Sequence, residues 1–375
     1  MKRSLGVYIH IPFCLRKCLY CDFCSFSDKE GRLMEKYTLE LCRRIRAFSS
    51  KASDHTVDTV YFGGGTPTLL PIFCFEKIFG TLHESFDISD NCEITVECNP
   101  ATADLEYFSA LRSLGVNRLS IGLQSVHENE LSALGRIHGY EDFKKTFSEA
   151  RDAGFHNISA DLMYGIPNQT LESFRESLSS LAKLHPEHIS AYGLKIEGGT
   201  PFHKMKNSLS LPDEDTEYEM YLACSEILSD YGYKKYEISN FSLDGRESRH
   251  NLRYWQGLDY IGFGVAAHSL FEGRRFGNSR DIGAFLQGKE IISEESTQTE
   301  TDDFNDFIML SLRLTRGLSL EEFKKRGGMD IYEYYPPLRE LVSRGFMKIE
   351  KGYLSFTDRG FFVSNTILSD MLDLG

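Results

Sequence analysis

Nowhere do about 18 apolar residues follow one another in this 375-residue chain, so no segment is expected to cross a membrane as a helix. Positive charge is also short: 42 Lys and Arg face 55 Asp and Glu, a formal net charge of −13. Phosphate binding needs clustered bases, so nucleic acid is excluded as the main partner. A secretion signal is missing too. Met1-Lys2-Arg3 is followed by the apolar run Ser4 to Ile11, but His10 and Pro12 interrupt it and no small-residue cleavage site follows. There is no disulfide framework; nine cysteines over this length fit reduced cytoplasmic thiols and one metal site. Internal repeats and low-complexity tracts are absent, and tryptophan occurs once, as Trp255. What remains, 41% apolar and 26% charged residues, is the composition of a globular protein.

The densest chemical signal is Cys14-Leu-Arg-Lys-Cys18-Leu-Tyr-Cys21. Zinc sites usually bring two cysteine pairs, or a cysteine pair with a histidine pair, and neither accompanies these thiols. A cubane 4Fe–4S cluster normally takes four thiolates. Three leave one iron open to a small chelating molecule. Cys24 would close that position as a fourth ligand; it is expected to be a free or packed thiol instead.

Leu5, Val7, Ile9 and Ile11 alternate with Gly6, Tyr8, His10 and Pro12, the period of a strand. Further strands are expected over 57–62, 93–98, 117–123, 157–163 and 188–194, with helices between them at a spacing of about 30–40 residues. These six βα units imply a parallel α/β architecture. Glycine-rich or polar residues close the strands: Gly63-Gly64-Gly65-Thr66-Pro67, Glu97-Cys98-Asn99-Pro100, Gln124-Ser125 and Tyr164-Gly165-Ile166-Pro167. In barrel-like parallel sheets that end carries the site. Beyond Pro201 the pattern changes to a helix over 213–231 and a strand-like 233–238. Residues 293–306 are acidic and read as a linker and helix start. Helices over 304–315, 319–326 and 331–344 then precede a hairpin around Lys351-Gly352, giving a smaller α+β domain of winged-helix character. The expected division is 1–200, 201–292 and 293–375.

Physical chemistry suggests what the strand ends can hold. Glycines without Cβ let a ligand's ammonium end approach the backbone.

The three-cysteine spacing resembles the radical S-adenosylmethionine (radical SAM) proteins. That resemblance implies a partial (β/α)6 barrel, a 4Fe–4S cluster on Cys14, Cys18 and Cys21, and SAM contacts at Tyr8, Gly64, Gly65, Thr66, Glu97, Gln124, Arg136 and Asp161. Tyr20 would pack against cluster and adenine. Tyr8-Ile-His-Ile-Pro-Phe-Cys14, Phe62-Gly-Gly-Gly-Thr-Pro-Thr68, Gly122-Leu-Gln-Ser125 and Asp161-Leu-Met-Tyr-Gly-Ile-Pro167 resemble one branch of those proteins. It contains the oxygen-independent coproporphyrinogen III oxidases and the HemW-type heme chaperones. The oxidases carry a further Cys where Phe23 stands here, and an extension of several tens of residues where only seven precede Tyr8. His250-Asn-Leu-Arg-Tyr-Trp255 matches the His-Asn-x-x-Tyr-Trp motif of the chaperones.

A neutral imidazole is a common heme ligand, so His250 is a candidate for the iron, Tyr254 and Trp255 for the porphyrin faces, and Arg246, Arg249 and Arg253 for the propionates. His268 is a second candidate ligand. The resemblance thus implies a chaperone that binds heme and passes it to an acceptor hemoprotein, with a homodimer left open as the assembly. The alternatives are oxidative decarboxylation of coproporphyrinogen III and radical SAM catalysis on another substrate.

Overall fold

The computed structural model describes residues 2–28 and 31–372. The first strand, β1 (Arg3–Ile11), buries Leu5, Val7, Ile9 and Ile11 completely on one face, as its alternation requires. After it come β2 (His55–Gly64), β3 (Asp87–Cys98), β4 (Arg118–Gln124), β5 (Ile158–Tyr164) and β6 (His188–Gly193). Each of the six pairs in parallel with the next, in sequence order. Amphipathic helices cover the outside, such as Arg32–Phe48, which buries Met34, Tyr37, Leu41 and Ile45. This is the expected α/β architecture, with every strand's C-terminal end on one rim.

The sheet does not stop at six strands. Beyond β6 lie the short β7 (Lys234–Lys235) and β8 (Asn240–Ser242), with β8 antiparallel to β6. At the other edge, β9 (Tyr260–Phe263) pairs in parallel with β1. An antiparallel run of β10 (His268–Phe271), β11 (Arg274–Asn278) and β12 (Ile292–Thr297) extends the sheet to twelve strands.

Two expectations change here. The strand-like stretch 233–238 contributes only two residues to the sheet. The first part of the acidic stretch, 293–297, lies in the edge strand β12, exposed at every residue, with Glu295 paired to Arg274, while the expected helix start follows at Glu300. An edge strand open on both faces has no buried alternation to display, and charge at such an edge discourages pairing with another chain.

The remaining strands, β13 (Leu318–Ser319), β14 (Met347–Glu350) and β15 (Tyr353–Phe356), form a separate small sheet. Its hairpin turns through Lys351 (φ 50°) and Gly352 (φ 81°), the left-handed pair that a two-residue hairpin loop needs. The helix expected over 331–344 is split into Ile331–Tyr334 and Leu338–Ser343 by Pro336-Pro337, which cannot continue a helix. Ile308, Phe323, Leu338, Leu354 and Phe361 form a second core, which Tyr221 of the helix Glu214–Asp230 joins from the larger domain. Lys235 Nζ lies 2.9 Å from Asp358 across the same boundary.

Candidate functional site

The C-terminal ends of β1 to β6 surround a cavity of about 950 Å³, whose walls include Cys14, Cys18 and Cys21. These three are the partly open cysteines; the other six are buried. Backbone bonds pin their loop: Phe26 N donates to Pro12 O (2.7 Å), Cys14 N to Phe26 O (3.0 Å) and Leu19 N to Leu134 O (3.0 Å). A Cβ on Gly65 would stand 2.6 Å from Phe13 O, so glycine is what lets β2's end pass beneath the loop. Thr66 Oγ1 lies 3.7 Å from Cys14 Sγ and accepts from Asn99 Nδ2 at 2.8 Å. Cys24 also borders the cavity, but its thiol turns to the Arg280 carbonyl, 3.8 Å away.

Tyr8, Tyr20, Gly64, Gly65, Glu97, Gln124, Arg136 and Asp161 all line this cavity. Thr66 instead borders an adjoining pocket with Cys18, Asn99 and Arg136. The Glu97 carboxylate accepts from Tyr61 Oη (2.9 Å) and Gly64 N (3.0 Å). Burial nevertheless pushes Glu97 up to about 7, and the nearby Asp161 adds to the shift. Burial likewise raises Asp161 to about 6, against hydrogen bonds from Ser190 and Ser120. Gln124 holds a left-handed backbone (φ 76°) and accepts from Tyr192 Oη at 2.9 Å. Non-glycine residues in that conformation concentrate at functional sites. Arg136 donates through Nη2 to the Gly122 carbonyl, while its Nε is buried without a hydrogen-bond partner.

This set of donors fits a cluster and SAM. Three thiols on one loop face carboxylates able to meet an ammonium. An unsatisfied guanidinium nitrogen is available for a further acceptor, because a buried donor without one is costly.

The His-Asn-x-x-Tyr-Trp stretch forms the helix Arg249–Trp255. The Glu93 carboxylate accepts from the backbone N of Arg249 (3.2 Å) and His250 (3.1 Å), satisfying two orphan donors at the positive end of the helix. His250 is 1% exposed. Its Nδ1 lies 2.8 Å from Thr59 Oγ1, its Nε2 lies 2.8 Å from Tyr254 Oη, and its ring stacks on Tyr61. Burial, with Arg253 and Arg118 nearby, pushes it down to about 3.

His250, expected to present its ring to a porphyrin iron, has both ring nitrogens occupied in this structure and is not among the residues that line the cavity. Trp255 is outside it as well; of the three candidate heme residues only Tyr254 lines it, together with Asn251. Arg253, expected near a propionate, is buried against Asp58 and donates to Asp259 O at 2.9 Å. His268 does line the cavity.

Several wall residues were not singled out from the sequence: Ser190 and Tyr192 on β6, Tyr260 on β9, and Arg280. The first two share a strand face at i and i+2, a signal that alternation carries. The others lie on a short strand and a loop with no periodic signature.

A model of the radical SAM superfamily matches residues 8–181, and one of the HemN C-terminal domain matches 298–363. The chain is 33% identical over 378 residues to the "Heme chaperone HemW" of Bacillus subtilis (strain 168), covering 98% of this chain and 99% of that protein. Against the "Heme chaperone HemW" of Escherichia coli (strain K12) it is 33% identical over 369 residues, covering 97% of each. Among solved structures, the coproporphyrinogen III oxidase HemN of Escherichia coli, described as a radical SAM enzyme, superposes with a TM-score of 0.86 over 99% of this chain and 90% of that one. Its identity is 22%, so the likeness is one of fold.

Proposed function

The chain belongs to the HemW family of radical SAM proteins, and on that premise we propose that it is a heme chaperone that binds heme and passes it to an acceptor hemoprotein. The observation that carries this reading is the double character of the cavity. One wall holds the three thiols and the carboxylates. The other, around β9 and β10, offers Tyr260 and His268 with Tyr254, and the lining as a whole includes Arg16 and Lys17 of the cysteine loop, Lys195 beyond β6, and Arg280. Aromatic rings suit a porphyrin face, and cations suit its propionates. At about 950 Å³ the space lies near the upper end of ordinary ligand pockets.

Cys14, Cys18 and Cys21 would hold a 4Fe–4S cluster, which supplies an open iron position for the amino and carboxylate groups of SAM. Glu97, when ionised, would accept from the SAM amino group, Arg136 would meet a carboxylate, and Asp161 and Gln124 would offer hydroxyl and amide partners. Gly64 and Gly65 leave the backbone open to the methionine end, Tyr8 and Tyr20 supply apolar faces, and Thr66 steadies Cys14. No helix among the described residues is long and apolar enough to cross a membrane, and we place the work of the protein in the cytoplasm.

The test uses anaerobically reconstituted protein. Loaded with heme and mixed with an apo-hemoprotein, it should lose its Soret band as the acceptor gains one. Conversion of coproporphyrinogen III to protoporphyrinogen IX with SAM and a reductant would instead identify an oxidase.

A further inference from the structure

Two histidines line the cavity, His10 and His268, and they differ in what their rings are free to do. His10 is buried, with Nε2 donating to the Cys24 carbonyl (2.9 Å) and Nδ1 facing Tyr8 Oη (3.1 Å). His268 is exposed to the cavity, and its ring nitrogens have no hydrogen-bond or ion-pair partner among the described residues.

Its position is built. β9 runs alongside β1 with Gly262 opposite Tyr8, so the chain leaves β9 on the rim that carries the cysteine loop. It turns back through Gly264 (φ 106°) and Ala266 (φ 55°), the latter a left-handed conformation that residues with a Cβ seldom adopt. A Cβ on Gly264 would lie 2.8 Å from His10 O. Asn278 holds the turn, its Nδ2 donating to Gly264 O (2.8 Å) and its backbone N to Ala267 O (2.9 Å). The chain then enters β10 at His268, whose cross-strand neighbour is Gly277. A Cβ there would stand 2.8 Å from His268 Nδ1, so glycine gives the imidazole room to lie across β11.

We propose that His268, and not His250, is the side chain that ligates heme iron in this cavity. The assignment rests on the chaperone reading and names a residue within it. An imidazole with unpartnered ring nitrogens, in the cavity that Tyr254 and Tyr260 also line, could ligate iron without breaking an existing bond. For His250 to serve, a buried ring would have to give up Thr59 or Tyr254. Arg16, in the cysteine loop that lines the same cavity, has no ion-pair or hydrogen-bond partner among the described residues and is available to a propionate.

The experiment is heme titration of the full chain and of His268→Ala, His268→Cys and His250→Gln, followed by Soret absorption and electron paramagnetic resonance. His268→Ala should lose the imidazole-ligated spectrum and bind heme at least about tenfold more weakly, and His268→Cys should move the band to that of a thiolate-ligated heme. His250→Gln, whose amide can still bridge Thr59 and Tyr254, should keep the wild-type spectrum. The assignment is overturned if His268→Ala keeps both spectrum and affinity, or if folded His250→Gln, verified by circular dichroism, loses them. Absence of any heme binding by the wild type would instead remove the chaperone reading, and this assignment with it.

Discussion

At the scale of single residues, Cys14, Cys18 and Cys21 stand apart from six buried cysteines because they are partly open as well as lining the cavity. Alanine at any one of them should abolish the visible absorption that a reconstituted cluster gives the protein. Bound iron should fall from about four per chain to below about one. Cys24→Ala should leave both unchanged, since that thiol points at the Arg280 carbonyl; loss of the cluster in this variant would overturn the ligand set. Glu97 makes a pH prediction. Burial raises it to about 7 in the free cavity, so the carboxylate is charged above that pH and neutral below it. The charged form is the stronger acceptor for the SAM amino group, so SAM affinity should drop by about tenfold in all as pH is lowered from 8 to 6. Glu97→Gln should weaken binding at pH 8 by about 10- to 100-fold, the worth of one charge-assisted hydrogen bond. It should also flatten the pH response in calorimetric titrations; a slope retained in that variant would assign the titration elsewhere.

Among the elements, the helix Arg249–Trp255 shows how far sequence reasoning reaches. Its motif was legible and so was its importance, but not the direction of its first imidazole. Glu93 draws the helix N-terminus onto β3, Arg253 reaches Asp58 beside β1, and His250 falls between Thr59 and Tyr254. None of those partners is near it in the chain except Tyr254, four residues on. His250→Ala leaves two hydroxyls unpaired around a cavity, so it should lower unfolding free energy by about 2–4 kcal/mol in denaturant titrations. A loss below about 0.5 kcal/mol would mean that the ring does not hold the helix. The six parallel strands were legible for a simple reason: each carries a run of buried apolar residues, and most stop at glycine or a polar residue. Strand β12 was not, because an edge strand with both faces in water alternates nothing, and its glutamates read as linker. Strands β7, β8, β9 and β10 hold two to four residues each, too few for a period to show, yet β9 and β10 are what carry Tyr260 and His268 to the cavity.

The whole molecule joins a twelve-stranded sheet, with a cavity at one rim, to a small three-stranded domain that packs through Tyr221 and the Lys235–Asp358 pair. Although the chain carries a net charge of −13, the cavity wall includes Arg16, Lys17, Lys195 and Arg280. Of these four, Arg280 is paired with Asp22 and Lys195 with Glu197, so Arg16 and Lys17 are the ones that favour an anionic ligand there, and heme is one. Fold alone does not separate chaperone from oxidase, because the likeness to HemN spans the whole chain; the difference lies in what the cavity holds and releases. The most direct measurement is a heme titration of the anaerobically reconstituted protein, read as Soret absorbance against heme added. The account predicts saturation near one heme per chain at micromolar concentrations. Absence of a saturable band in that range would contradict it.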